Sequence, residues 1–192
     1  MIKSLKHDLL LGSASPRRRE LLAQVFPNFQ VLSSSVEETY PDSLDTELVA
    51  GFLSELKWTD LISKTAENTI VLTSDTTVVL DKTVFGKPRD KEEAKSMLKK
   101  LSGKTHKVIT AFTLGNSTRK ATVTDITEVE FKAISEEEID HYIEEFKPFD
   151  KAGAYGIQEW IGWIGIRQIK GSYFSVMGLP IDLVYDELKK WQ

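Results

Sequence analysis

Cysteine is absent from the chain, so neither a disulfide framework nor a thiolate metal site is available, and nothing argues for secretion. No apolar run approaches the length of a membrane span, and the stretch Met1 to Asp8 lacks the apolar core of a signal peptide. A cytoplasmic protein that meets no membrane is the expectation. An excess of positive charge is missing too: 25 Lys and Arg stand against 29 Asp and Glu, a formal net charge of −4. That balance would repel nucleic acid, so basic groups are expected to act locally, on a small anionic ligand. What is present, 192 residues with 41% hydrophobic and 28% charged, suits a sizeable core and a single domain over residues 1–192, with room for two lobes.

The densest local chemistry lies in Gly12-Ser13-Ala14-Ser15-Pro16-Arg17-Arg18-Arg19-Glu20, between Leu9-Leu10-Leu11 and Leu21-Leu22. It reads as strand, tight loop and helix start. Ser15 is a natural N-cap, and Pro16 suits the first helical position, where its missing N–H would have had no partner. Three arginines then occupy the first turn, where the positive end of the helix dipole disfavours each cation by ~0.3–1 kcal/mol. A polyanion held by the free N–H groups and the guanidiniums together would explain this violation. A solvated basic turn is the alternative.

Further along, residues 29–33 read as a second strand after the Pro27-Asn28 break, and a loop follows with Glu37 and Glu38, one of which would face the arginines. The spacing of Leu48, Val49, Phe52, Leu53 and Leu56 predicts a helix over 44–62. Lys57 lies late in it, where a cation suits the helix dipole as well as it suits catalysis. Residues 69–73 form a β-branched run expected to be a buried central strand that ends in Ser74-Asp75-Thr76-Thr77. Asp75 then sits at the carboxyl end of a buried strand, where α/β folds hold their ligands, as a candidate base. A turn aspartate bonded to nearby backbone is the alternative.

A hairpin over 78–85 leads into Gly86-Lys87-Pro88-Arg89-Asp90, which is expected to bring Lys87 back toward the site. Capping-box spacings at Asp90/Glu93 and Ser135/Glu138 open two helices, and strands are expected over 107–114 and 121–132. The fragment Ser102-Gly103-Lys104-Thr105 looks like the end of a phosphate-binding P-loop, but the required earlier glycine would fall at Leu98, inside a helix, which rules it out. The glycine-containing run Asp150-Lys151-Ala152-Gly153-Ala154-Tyr155-Gly156-Ile157-Gln158 is too irregular for a helix, and its glycines permit close approach of backbone to a ligand. Gln158 offers both donor and acceptor, which suits a base edge or, equally, a neighbouring backbone group. Residues 164–169 and 173–177 predict a strand pair around Gly171-Ser172, and Leu179-Pro180-Ile181 opens a last helix running to Trp191.

Taken together, Ser13-Ala14-Ser15-Pro16-Arg17-Arg18, Glu38, Lys57, Ser74-Asp75-Thr76, Gly86-Lys87-Pro88-Arg89-Asp90, Ser102-Gly103 with His106, and Asp150 to Gln158 closely resemble the Maf family of nucleoside triphosphate pyrophosphatases, also called septum formation proteins. The motifs follow the family's order across nearly the whole chain. The resemblance implies an α/β fold of the Maf/ITPase kind, a mixed central sheet flanked by helices with two lobes and a deep cleft, often as a homodimer. The Ala-Gly-Ala-Tyr-Gly-Ile-Gln run is similar to the branch acting on dTTP and UTP. Implied activity is water attack at the α-phosphorus with release of pyrophosphate, aided by Mg²⁺ or Mn²⁺. Carried over by motif position, Asp75 corresponds to the proton acceptor, and Arg17, Thr76 and Gln158 to substrate-selecting positions. Ser13, Arg18, Glu38, Lys57 and Lys87 match other active-site positions, with Lys57, Lys87 and Glu38 expected to assist catalysis and Asp75 and Glu38 to hold the metal. Two alternatives stand beside this: a nucleotide-binding regulator of cell division without turnover, and a 7-methyl-GTP pyrophosphatase. The chain departs from the family at Ser54 and Trp58, where alanines are usual, and at Glu159-Trp160-Ile161, which replaces a glycine-rich continuation.

Overall fold

The computed structural model describes residues 5–192. Among them the fold is mixed α/β, with parallel and antiparallel strands in one sheet flanked by helices. The chain divides into two compact units. One comprises the chain up to Asp75 with Thr110–Asp125 and Gly178–Gln192; the other comprises Thr76–Ile109 and Ile126–Met177.

In the first unit β1 (Leu9–Leu11) runs parallel to both β2 (Gln30–Val31) and β3 (Ile70–Leu80), with Leu10 opposite Gln30 and Leu11 opposite Leu72. Parallel neighbours require crossovers, which α1 (Pro16–Val25) and α2 (Val49–Ile62) supply. Because helices cover such a sheet, β1 reads as an unbroken apolar run and is wholly buried. Gly12 carries the ladder one step further, its N–H donating to the Leu72 carbonyl at 2.7 Å. A Cβ there would lie 2.4 Å from Leu61 Cδ1 and 2.7 Å from Thr73 Cγ2, so glycine lets the loop leave β1 between α2 and β3. The C-terminal α7 (Ile181–Lys189) belongs to the same unit and packs on α1.

The second unit opens with the antiparallel hairpin of β3 and β4 (Thr83–Phe85), turned by Asp81 and Lys82, both at positive φ. Two positive-φ residues match the right-handed twist of the flanking strands. In α3 (Lys91–Leu101) the Asp90 side chain caps the first turn, and in α4 (Glu136–Phe146) Ser135 and Glu138 form a reciprocal capping box. Gly103, at φ 70°, turns the chain after α3 into β5 (Thr105–Gly115), which β6 (Lys120–Phe131) follows. Then come a 3₁₀ turn at Ala152–Ala154, the short helix α5 (Trp160–Gly165), β7 (Ile166–Lys170) antiparallel to β6, and α6 (Tyr173–Met177).

Three expectations need correction. The strand over 69–73 does not turn at Ser74; β3 continues unbroken to Leu80, because Ser74 satisfies its hydroxyl on the Ala111 carbonyl at 2.8 Å and the threonines accept extended backbone. The strand over 29–33 shrinks to two exposed residues. The expected strand pair around Gly171 is a strand followed by a helix: Gly171 lies at φ 136°, the Ser172 N–H donates to Thr127 Oγ1 at 2.9 Å, and the Ser172 hydroxyl accepts from Ser175 N–H. A five-residue apolar run has no periodicity long enough to separate those outcomes.

The second unit's core gathers Leu98, Leu101, Phe131, Ile139, Tyr142 and Tyr155. His106 is buried among them, edge-on to Phe131 and Tyr155, with Nε2 2.8 Å from the Tyr155 hydroxyl. Burial pulls its pKa down to about 4. The unfolded chain therefore binds this proton more readily, and folding stability is full above about pH 6.5 and falls as pH drops toward 4. Urea unfolding at pH 7 and pH 4.5 is expected to show a loss on the order of 2 kcal/mol from this group, and His106→Gln should flatten that dependence by the same amount.

Candidate active site

The N-terminus of α1 is built as its sequence dictates. Ser15 adopts an extended backbone and its hydroxyl accepts from the Arg18 N–H, with Pro16 in the first turn. Just before it, Ser13 Oγ accepts from the Ser15 N–H at 3.2 Å. The Arg18 side chain turns inward: Nε donates to the Gly178 carbonyl at 2.7 Å, and one terminal nitrogen donates to the Ser74 carbonyl at 2.7 Å and to Ser13 Oγ at 3.4 Å. Arg18 therefore fastens α1 to β3 and to the segment leading into α7. Desolvation lowers its pKa, and the charge of Arg17 acts in the same direction, while Asp75 and Glu38 oppose them. Both carboxylates thus act electrostatically on this arginine. Arg17 is half-buried and Arg19 exposed, so the three arginines of one turn have separate surroundings.

Lys57 projects from α2 and is 9% exposed. Its Nζ pairs with Asp75 Oδ1 and, at 2.9 Å, with Glu38 Oε1. Asp75 is 7% exposed and lies in the middle of β3, whereas the Glu38 side chain is 44% exposed on the loop between β2 and α2. That loop is tethered to α2 by Asp60, which accepts from Ser34 Oγ at 2.9 Å and from the Ser35 N–H. Ser54 and Trp58, the unusual neighbours of Lys57, both have structural partners. The Ser54 hydroxyl bonds to Thr113 Oγ1 at 2.8 Å, and Trp58 packs with Leu10, Leu61 and Val71. They fix the helix that carries the lysine.

The first unit thus brings together Ser13, Arg18, Glu38, Lys57 and Asp75, with Arg17 close enough to act on Arg18. Thr76, Lys87 and Gln158 belong to the second unit. Thr76 follows Asp75 in β3 and is half-buried; Lys87 is exposed. Gln158 closes the irregular loop, and its Oε1 is buried without a hydrogen-bond partner among the described residues. Leaving such an acceptor unmet costs roughly 1–3 kcal/mol, so it suits a group that a ligand completes.

A scan against family models matches the Maf-like protein family over residues 8–191. The chain belongs to the Maf family. Among its curated relatives, dTTP/UTP pyrophosphatase from Phocaeicola vulgatus is 46% identical over 99% of this chain and 100% of its own length. The protein of the same name from Porphyromonas gingivalis is 44% identical over 96% of this chain and 94% of its own, and that from Cytophaga hutchinsonii 45% identical over 95% and 84%. Of solved structures, the Staphylococcus aureus Ham1 protein superposes with a TM-score of 0.54 at 15% identity, covering 96% of this chain and 100% of that one, a likeness of fold alone.

Sequence reasoning missed several participants in this Maf protein. The carbonyls of Ser74 and Gly178 carry no side-chain signal for holding Arg18. Tyr142, Lys151 and Glu159 form a polar network in the second unit, and Tyr142 stands at the helical spacing of Ile139 and Ile143 on the buried face of α4. A buried tyrosine hydroxyl needs a partner, which was the available hint.

Removing one partner of a buried ion pair strands the other, at roughly 3–5 kcal/mol. Lys57→Met should therefore lower stability by about 3 kcal/mol in urea unfolding at pH 7. Asp75→Asn should cost less, since Lys57 keeps Glu38, and the double variant should recover part of the Lys57→Met loss.

Proposed function

We propose that this Maf protein hydrolyses dTTP and UTP to the monophosphate and pyrophosphate. The observation that carries the reading is the pairing of Asp75 and Glu38 on the buried ammonium of Lys57, beside the arginine-bearing start of α1. Near-full-length relatives named dTTP/UTP pyrophosphatase support the substrate class.

Asp75 takes a proton from the water that attacks the α-phosphorus, and the bond from that phosphorus to the bridging oxygen breaks to release pyrophosphate. Lys57 holds Asp75 in the orientation for this task. Charge accumulates on the departing pyrophosphate, and Arg17 and Lys87 are the cations assigned to it. Arg18, committed to two carbonyls and to Ser13, keeps the loop before α1 in shape for phosphate oxygens. Thr76 and Gln158 are the substrate-selecting residues, with the unmet Gln158 Oε1 as the acceptor for an imide N–H of the base.

Asp75 and Glu38 meet at the Lys57 ammonium, and carboxylates are the donors that Mg²⁺ commonly takes, one or two together with substrate phosphates and water. Asp75 and Glu38 would hold the ion. When bound, it supplies neutralisation of phosphate charge.

Pyrophosphate release from dTTP, UTP, CTP and GTP with Mg²⁺ or Mn²⁺ tests the reading. dTTP and UTP should be cleaved to equimolar monophosphate and pyrophosphate. Asp75→Asn should lose roughly 10²–10⁴-fold in kcat while still binding a nonhydrolysable dTTP analogue. Failure to cleave any nucleotide, or full activity in Asp75→Asn, overturns it.

A further inference from the structure

The departure from the family pattern at Glu159 has a built environment. Its Oε2 accepts from the Tyr142 hydroxyl, and its Oε1 pairs with Lys151 Nζ at 3.0 Å. The same hydroxyl accepts from the Gly156 N–H at 3.0 Å, and Lys151 Nζ also holds Asp150 Oδ1 at 2.7 Å. The Glu159 carboxylate and the Tyr142 hydroxyl together tie the beginning, middle and end of the Asp150–Glu159 segment to α4. Tyr142 stays a donor across the working pH range, because burial and then its bond to Glu159 raise its pKa.

The Glu159 carboxylate and the Gln158 amide both lie beside Gly156. A Cβ on Gly156 would lie 2.8 Å from Glu159 Cδ, 2.9 Å from Glu159 Oε2 and 3.1 Å from Gln158 Nε2. The carboxylate and the amide nitrogen therefore share one face of the glycine. A negative charge there favours the NH₂ end of the amide and leaves Oε1, which has no hydrogen-bond partner among the described residues, as the acceptor on offer. An amide that can turn serves either a uracil-type edge, with N3–H as donor, or a cytosine edge, with N3 as acceptor. A fixed amide serves only one.

We propose that Glu159 is a positioning residue for base selection: anchored by Tyr142 and Lys151, it fixes the orientation of the Gln158 amide so that Oε1 meets the N3–H of thymine or uracil and cytosine is disfavoured. The proposal rests on the reading that Gln158 meets the base. Steady-state kinetics with dTTP, UTP and CTP on wild type, Glu159→Ala and Tyr142→Phe test it, with thermal midpoints as the check of folding. Glu159→Ala should narrow the dTTP-to-CTP ratio of kcat/KM by roughly 10-fold, mainly through a higher KM for dTTP, with kcat changed by less than about 3-fold. Tyr142→Phe, which removes only a hydroxyl, should shift the same ratio in the same direction, and the double variant should go no further than Glu159→Ala. An unchanged ratio in either folded variant, or equal losses on dTTP and CTP, overturns the proposal while leaving the pyrimidine reading intact. A wild type that cleaves none of the nucleotides, or cleaves them without preference, overturns both.

Discussion

The ammonium of Lys57 is the constraint on which the first unit turns. Burying a single charge costs several kcal/mol, and the helix that carries Lys57 is acceptable only because Asp75 and Glu38 meet it there. Asp75 in turn could not stand in the middle of a buried strand without a cation against it. The remaining side chains follow from this pairing. Ser54, Thr73 and Thr113 satisfy one another along the same helix and sheet, the Thr73 hydroxyl donating to the Ser54 carbonyl at 2.7 Å, whereas Trp58 Nε1 and Thr77 Oγ1 are buried without a hydrogen-bond partner among the described residues. Arg18 applies the same logic to backbone, its guanidinium donating to the Ser74 carbonyl inside β3 and to the Gly178 carbonyl ahead of α7.

The second unit solves a different problem. A segment rich in glycine has few side chains to pack, and its conformation has to be imposed from outside. Gly153, at φ 69°, packs against Val78 and donates its N–H to the Gly86 carbonyl at 3.0 Å. Tyr155 is held by His106, and Gly156 by Tyr142. Glycine supplies the close approach and buried hydroxyls supply the order. Among these contacts the carboxylate of Glu159 stands out, because both of its oxygens are engaged, one by Tyr142 and one by Lys151.

Much of this was legible before any coordinates, and the legible part has a common character. Ser15 with Pro16, Asp90 with Glu93, and Ser135 with Glu138 set the starts of α1, α3 and α4 through bonds spanning three or four residues. The hairpin at Asp81-Lys82 is equally local. The motif residues were legible as a set because they occur in a family's order, and the match over residues 8–191 rests on that order. Where local pattern was ambiguous, the reading failed: Ser74 to Thr77 looks like a turn but forms the middle of β3, and Tyr173 to Met177 looks like a strand but forms a helix.

By itself, then, the sequence determined where α1, α3 and α4 begin, which faces are apolar and to which family the chain belongs, since caps, periodicity and motif order act over short or collinear distances. Only the tertiary structure decided that Glu38 reaches Lys57, that Arg18 binds carbonyls from Ser74 and Gly178, and that Tyr142 meets Glu159. The physical reason is that a buried polar group must find a partner, and the partner is chosen by packing rather than by position along the chain. Arg18 and Gly178 are 160 residues apart in sequence, and no local rule joins them.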